Sequence, residues 1–330
     1  MSNPSPSPTS ATAPRVLVLA GGLSHERDVS LRSGRRVAEA LRDAGCPVIE
    51  RDVDANLLGA LRDGVADVVW PLLHGATGED GAVRDVLELI EVPYVGSTPA
   101  ACRRAWDKPV AKSVARDAGL ASPESVALPH GTFRELGAQG VLAAIVHHLG
   151  LPLVVKPARG GSALGVTVVR NAADLPRAMV ECFAYGDVAL VERMVEGLEV
   201  AVSVIDTGDG PRVLPAVEIV ADGGVYGYDA RYVAGATEFF CPARLTEDAA
   251  RAVAEAAVTA HLAFGLRHLS RTDLIVDREG RPWFLEVNVA PGMTETSLLP
   301  QSVAAAGEDV GPLYRRLVEA ATAEGCRVPA

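Results

Sequence analysis

Apolar positions along this chain come in two recurring spacings. The run Arg15-Val-Leu-Val-Leu-Ala20 is nearly all apolar and ends at Gly21-Gly22, the pattern of a buried strand entering a tight turn. Ser30 is placed to cap a helix that carries Val37 and Leu41 on one face and stops at Gly45. Strands are expected again at Pro47 to Asp52 and at Asp67 to Leu73. From about Gly81, Val83, Val86, Leu87 and Ile90 fall at i, i+3, i+4 and i+7, one face of a helix. Strands alternating with helices predict a parallel sheet covered on both faces. Ligands of such sheets sit beyond the strands' carboxyl ends, where Gly21-Gly22 and His74-Gly75 fall.

The spacing changes after this first unit, read as residues 15–106. A helix from Lys108 to Ala118 leads to the strand Leu151 to Lys156, which stops at the loop Arg159-Gly-Gly-Ser-Ala-Leu-Gly165. A further strand, Val166 to Val169, follows at once. A glycine loop between two strands is neither a Walker loop nor a dinucleotide fingerprint, since both must open a helix. A helix at Ala173 to Phe183 and a strand at Val188 to Glu192 complete a central unit, residues 107–195. From Glu199 the chain reads as mostly strands with one helix, Glu247 to Phe264, giving a third unit, residues 196–330.

Composition narrows the function classes. The chain has 330 residues, 48% hydrophobic and 22% charged, consistent with a globular protein of about two domains at roughly 150 residues each. Its formal net charge of −11 argues against nucleic-acid binding, which needs clustered Lys and Arg. No apolar run approaches the ~18 residues of a membrane span. Residues 1–14, rich in Ser, Pro and Thr, lack the basic and apolar segments of a secretory signal and read as a disordered tail. Five cysteines without a CxxC pair fit reduced, buried thiols and a cytoplasmic protein.

Several segments carry candidate chemistry. Leu269 to Val276 and Arg281 to Asn288 read as a hairpin. A four-residue loop, Arg278 to Arg281, sets Asp273 opposite Glu286 and Arg271 opposite Asn288. Carboxylates so opposed sit roughly 5 Å apart and repel, and a divalent cation such as nucleotide-bound Mg²⁺ relieves the repulsion. A solvated outer face is the alternative. Backbone N–H groups from Gly160 to Ala163, with Lys156, can cradle phosphate oxygens, or the loop is merely mobile. Glu192 and Glu199 can accept from an adenine amino group and a ribose hydroxyl, or lie exposed. His74 is either a site residue or a helix cap. His147-His148 reads as a helix end rather than a metal site. Tyr226, Tyr228 and Tyr232 read as a lid or as ordinary sheet aromatics.

Taken in order, these segments resemble the D-alanine–D-alanine ligases of the ATP-grasp superfamily. The matching pieces are Gly21-Gly-Leu-Ser-His-Glu26-Arg-Asp-Val-Ser30, His74-Gly-x-x-Gly-Glu-Asp-Gly81, Asp107-Lys108, Val155-Lys-Pro157 and Gly161-Ser-x-x-Gly165. They continue through Glu192 and Glu199, Tyr226-x-Tyr-x-x-x-Tyr232, Phe240-Cys-Pro242, Arg271-x-Asp273 and Glu286-x-Asn288-x-x-Pro-Gly-Met-Thr-x-x-Ser297. The resemblance implies an α/β protein with an N-terminal parallel-sheet domain followed by a two-lobed α+β ATP-grasp fold. It implies condensation of two D-alanines for peptidoglycan synthesis, with ATP, two Mg²⁺ or Mn²⁺ ions and a homodimer. Lys108, Lys156, Gly161 and Ser162 would contact phosphates, Glu192 the adenine and Glu199 the ribose. Asp273, Glu286 and Asn288 would hold the metals. Glu26, linked to Ser162 and Tyr232, would bind the first ammonium, with His74 beside it. Ser297 would bind the second carboxylate, and Arg271 with the Gly292 N–H would stabilise the oxyanion.

The chain departs from the family pattern at three places. Arg231 stands where Lys is usual before the lid tyrosine, keeping the charge without its point geometry. Gly160 and Ala163 replace polar residues of the phosphate loop. Arg84-Asp85 stands where Gln-Gly is common. Tyr232 matches dipeptide-forming members. The same chemistry on other amino acids, and a relative that binds nucleotide without turnover, are the alternative expectations.

Overall fold

The structure is a computed structural model that describes residues 13–221 and 237–326. Three sheets organise those residues. Strands β1 (Val16–Leu19), β2 (Val48–Arg51) and β3 (Val68–Pro71) form a parallel sheet in the order β2-β1-β3, as expected. Alternation along β1 sends Val16 and Val18 to one core and Leu17 and Leu19 to the other. The first core is closed by the helices Arg27–Asp43 and Val310–Glu324, with Trp70 edge-on to Tyr314 at 5.1 Å. The second is closed by Leu57–Arg62 and Ala82–Leu89. The chain's last helix thus returns to the first domain, although the sequence reading assigned this stretch to the third unit and to strands. Its Leu313, Tyr314, Leu317, Val318 and Ala321 carry helical spacing and are buried.

Strands β4 (Ser125–Pro129), β5 (Leu153–Pro157), β6 (Thr167–Val169) and β7 (Val188–Arg193) pair antiparallel in the order β4-β7-β5-β6. The helices Ala138–Leu149 and Leu175–Phe183 cover one face of this sheet, over Leu153, Val155, Ala189 and Val191. His147 and His148 lie in the last turn of the first of these, the helix-end position expected of them.

Strands β8 (Leu198–Ile205), β9 (Arg212–Val213), β10 (Val217–Ala221), β11 (Thr237–Phe240), β12 (Leu269–Val276) and β13 (Pro282–Asn288) form the third sheet. Its order is β11-β10-β8-β12-β13, with β9 on β8. Val200, Val202, Leu274 and Phe284 pack under the helix Glu247–Ala263. The helices Pro99–Trp106 and Lys108–Asp117 bury Ala101, Cys102, Ala111 and Ala115 in the same core. The helix that opens the central unit in sequence therefore packs with the third sheet. Cys46, Cys102 and Cys182 are buried free thiols. Among the described residues, no helix is long and apolar enough to cross a membrane.

Two local expectations are corrected. Ser30 does not cap: the helix begins at Arg27, and buried Ser30 Oγ accepts from Gly21 N at 2.8 Å and donates to the Leu72 carbonyl at 2.7 Å. It joins the ends of the two strands that flank the ligand edge. The β12–β13 hairpin has a longer turn than the four residues expected, spanning 277–281, which alone would displace the pairing by one. A β-bulge between Asp273 and Leu274 restores it, leaving Leu285 as the extra residue. Asp273 then faces Glu286 and Arg271 faces Asn288. Asp277 ties the turn: its carboxylate accepts from Glu279 N (3.1 Å), Arg281 N (2.8 Å) and Trp283 Nε1 (2.7 Å). Asp277→Ala removes the acceptors of all three bonds and is expected to lower stability by about 1–2 kcal/mol, read from urea unfolding midpoints. A loss below about 0.3 kcal/mol would show that the turn holds itself.

Candidate active site

Strand alternation builds the first chamber. In the register of β5 and β7, Val154 faces Glu192 and Lys156 faces Leu190, so Lys156 and Glu192 share the sheet face opposite the helices. Lys156 Nζ pairs with Glu192 Oε1, and Lys112 Nζ reaches Oε2 at 2.7 Å. Lys112 lies one turn beyond Lys108 on the helix packed under the third sheet, and its ammonium also donates to Ser122 Oγ at 3.1 Å. Glu192 is buried, not solvated. Burial opposes its charge, but Lys156 and Lys112 outweigh burial and hold its carboxyl below the usual range. Two ammoniums on one carboxylate leave a net positive wall. Glu199, on β8 opposite Ile219 and Ile275, lines the far wall with Asp273 and Glu286. The space between the two sheets is about 460 Å³.

At the inner end of this chamber, Asp107 Oδ1 caps the helix Lys108–Asp117 by accepting from Val110 N at 3.2 Å. The cap fixes Lys108 at the first helical position. Its backbone N–H donates to the Ala158 carbonyl (2.9 Å) and its Nζ to the Gly160 carbonyl (2.6 Å). The same Nζ lies 3.5 Å from Glu286 Oε2. The glycine loop leaves β5 here and crosses onto Glu26. A Cβ on Gly161 would stand 3.4 Å from Glu26 Oε2, an ordinary van der Waals contact, so the loop backbone passes directly over that carboxylate. Ser162 Oγ donates to Glu26 Oε1. Ser162 and Ala163 both hold left-handed backbone, φ 52° and 55°, a cost of about 1 kcal/mol or more each that this contact helps to offset. Glu26 occupies the N-cap position of Arg27–Asp43 without capping it, which leaves its carboxylate to the loop.

The second chamber, about 560 Å³, lies between the ligand edge of the first sheet and the end of β13. Lys108, Gly160, Gly161 and Glu286 line both chambers. Arg271 binds Asp273 through Nε at 2.7 Å and Nη2 at 2.8 Å, both side chains buried. Asn288 Oδ1 accepts from Ala290 N at 2.8 Å. Gly292 lies against Ser297, where a Cβ would come within 2.8 Å of Oγ. Ser297 Oγ accepts from Thr294 N at 2.9 Å and touches Thr294 Oγ1 at 2.8 Å. Asp273, Glu286 and Asn288 offer only carboxylate and amide oxygens, two of them opposed in register. That hard donor set fits a divalent cation of the Mg²⁺ or Mn²⁺ kind.

His74 is buried in this wall rather than capping a helix. Burial lowers its pKa, Arg271 adds to that, and neighbouring Glu26 and a hydrogen bond with the Ala290 backbone oppose it. The imidazole is therefore neutral near pH 7. Glu79, which sequence reasoning quoted only as part of a run, accepts from Gly75 N at 2.9 Å with its carboxyl in the chamber. Burial, then the nearby Glu26 charge, push its pKa up to about 8. Arg84, the unexplained departure, is buried behind this loop and donates to the Gly78 carbonyl beside Glu79. Its neighbour Asp85 pairs with Arg103 of the helix Pro99–Trp106.

Every described residue singled out from sequence for this site lines one of the two chambers. Tyr226, Tyr228, Arg231 and Tyr232 lie outside the described residues. Sequence reasoning missed Lys112 and Glu79. The four-residue spacing from Lys108 was a signal for the first, and the acid following Gly78 for the second.

The chain is similar in sequence and in fold to known proteins. Residues 114–319 match the family described as D-ala D-ala ligase C-terminus, and residues 49–97 that described as D-ala D-ala ligase N-terminus. The chain is 41% identical over 310 residues to a D-alanine–D-alanine ligase of Anaeromyxobacter sp. strain K, covering 94% of this chain and 97% of that one. It is 38% identical over 323 residues to the Bordetella petrii ligase of the same name, covering 98% and 96%. Among solved structures, the VanG D-Ala:D-Ser ligase of Enterococcus faecalis superposes with a TM-score of 0.81 at 26% identity, covering 93% and 99%. The Bacillus anthracis D-alanine–D-alanine ligase complexed with ATP gives 0.77 at 28% identity, covering 94% and 97%.

The raised Glu79 pKa predicts a pH dependence. Its protonated form is favoured in the fold, so its stabilisation is complete below the ordinary carboxyl pKa of 4.5. That contribution declines as pH rises and is gone beyond about 8. Unfolding free energies of wild type and Glu79→Gln should diverge by roughly 3–5 kcal/mol between pH 5 and 8.5, the variant gaining. A flat difference would contradict a neutral Glu79.

Proposed function

The chain belongs to the D-alanine–D-alanine ligase family, and we propose from that premise that its joined chambers condense two D-alanines into D-alanyl-D-alanine at the expense of ATP. The observation that carries the reading is the meeting of the two chambers at Lys108, Gly160, Gly161 and Glu286. Such a junction brings the terminal phosphate of a nucleotide held on one side to a carboxylate held on the other. The product serves peptidoglycan synthesis, and the reading carries a cytoplasmic homodimer with it.

A carboxylate resists attack by an amine. Moving the γ-phosphoryl group of ATP onto it gives ADP and an acyl phosphate. The second amine then attacks the carbonyl, the C–N bond forms and phosphate leaves. Lys108 and Lys156 hold phosphate oxygens, helped by the backbone of Gly161 and Ser162. Lys112 keeps Glu192 charged when Lys156 turns to phosphate, so Glu192 can accept from the adenine amino group. Glu199 takes the ribose, and Arg231 meets the γ-phosphate in place of lysine. Asp273, Glu286 and Asn288 would hold Mg²⁺ or Mn²⁺, two ions, whose charge neutralises the phosphate oxygens. Glu26 orients the first ammonium with Ser162 and Tyr232, and His74 packs beside it. Arg271 and the Gly292 N–H stabilise the tetrahedral oxyanion. Ser297 binds the second carboxylate.

The likeness to a D-Ala:D-Ser ligase supports a second reading, with D-serine as acceptor. Purified protein given Mg²⁺, ATP and D-alanine should release one phosphate per D-alanyl-D-alanine, identified by mass. Turnover only when D-serine is added selects the second reading, and silence on both pairs rejects ligation of these substrates. Glu286→Ala should lower kcat by at least about a hundredfold, and a variant of normal activity would remove Glu286 from the metal set.

A further inference from the structure

The helix Arg27–Asp43 turns one face to the segment that follows β13. Ser33 Oγ accepts from Met293 N at 3.1 Å, and Arg36 pairs with Glu295 at 3.0 Å. Arg32 sits among these contacts on the helix, one turn beyond Val29, and lines the second chamber with Thr294, Thr296 and Ser297. Its Nε donates to the Asp28 carbonyl at 3.4 Å, which lays the side chain back over the preceding turn. The guanidinium is exposed and forms no ion pair among the described residues.

The chamber's other described cations are committed. Lys108 lies against Glu286 and the Gly160 carbonyl, and Arg271 is bound through Nε and Nη2 to Asp273. Ser297 contributes only a neutral hydroxyl, already bonded within its own turn. An amino acid entering as acceptor keeps its α-carboxylate throughout the reaction, and the Glu26 and Glu286 carboxylates of the same chamber offer that group no attraction. A single hydroxyl does not balance its charge. A guanidinium does, and its planar fork matches a carboxylate.

We propose that Arg32 binds the α-carboxylate of the acceptor amino acid, with Ser297 as its hydrogen-bonding partner, and so selects acceptors with a free carboxylate. The inference rests on the ligase reading above. Arg32 is exposed, so its replacement should leave the fold intact, which a thermal melt checks. Arg32→Ala should raise the acceptor KM about tenfold, with kcat and the donor KM within about twofold of wild type. Arg32→Lys should recover part of the loss. The acceptor KM of wild type should rise with salt and that of Arg32→Ala should not. D-alaninamide, which has no carboxylate, should be accepted equally by both proteins. An acceptor KM within twofold of wild type in Arg32→Ala overturns the inference, as does an equal penalty on D-alaninamide. If wild type itself fails to ligate D-alanine or D-serine, the ligase reading falls and this inference with it. An active wild type with an unmoved acceptor KM overturns the inference alone.

Discussion

Two carboxylates, Asp273 and Glu286, oppose each other across antiparallel strands, and the cleft is organised around their repulsion. Unit charges about 5 Å apart in a medium of effective dielectric near 20 repel by roughly 3 kcal/mol. The chain compensates part of this itself, with Arg271 on Asp273 and Lys108 beside Glu286. Both cations are shared with other tasks: Lys108 also holds the glycine loop, and Arg271 faces the second chamber. The remainder is suited to a divalent cation that arrives with a polyphosphate.

The surrounding architecture serves to place these groups. Each of the two antiparallel sheets buries one face against helices and turns the other toward the nucleotide chamber, so strand alternation alone delivers Lys156, Glu192, Glu199 and Asp273 to the cleft. Lys112 joins the two sheets electrostatically, since its helix packs under the third sheet while Glu192 belongs to the central one. The second chamber depends on a different closure. The last helix returns to the first sheet and packs Tyr314 on Trp70, which anchors the far end of the chain against the domain that supplies Glu26, His74 and Glu79.

Much of this was legible in the sequence. The parallel first sheet followed from apolar runs alternating with helical spacing, and the ordered motifs resembled a family to which the chain belongs. The pairing of Asp273 with Glu286 was read correctly from a turn of the wrong length. The longer turn and the bulge at Leu285 shift the register in opposite senses and cancel. Nothing local distinguishes a bulge residue from its neighbours, so that compensation was invisible. Ser30 looked like a cap because the rule for caps is local, whereas its partners lie on Gly21 and Leu72. The closing helix was a different kind of miss. Its spacing was present at Leu313, Leu317 and Ala321, but the strand-rich reading was carried on to the terminus. Lys112 and Glu192 are eighty residues apart, and only the fold brings them together.

The central claim is that a carboxylate of one amino acid is phosphorylated by ATP at the junction of the chambers before an amine attacks it. The most direct test supplies D-alanine labelled with ¹⁸O in its carboxylate, in ordinary water, and follows the released phosphate by mass. The account predicts one labelled oxygen in each phosphate for each dipeptide formed, because the C–O bond to the phosphorylated oxygen breaks when nitrogen attacks. Unlabelled phosphate released alongside dipeptide would contradict it.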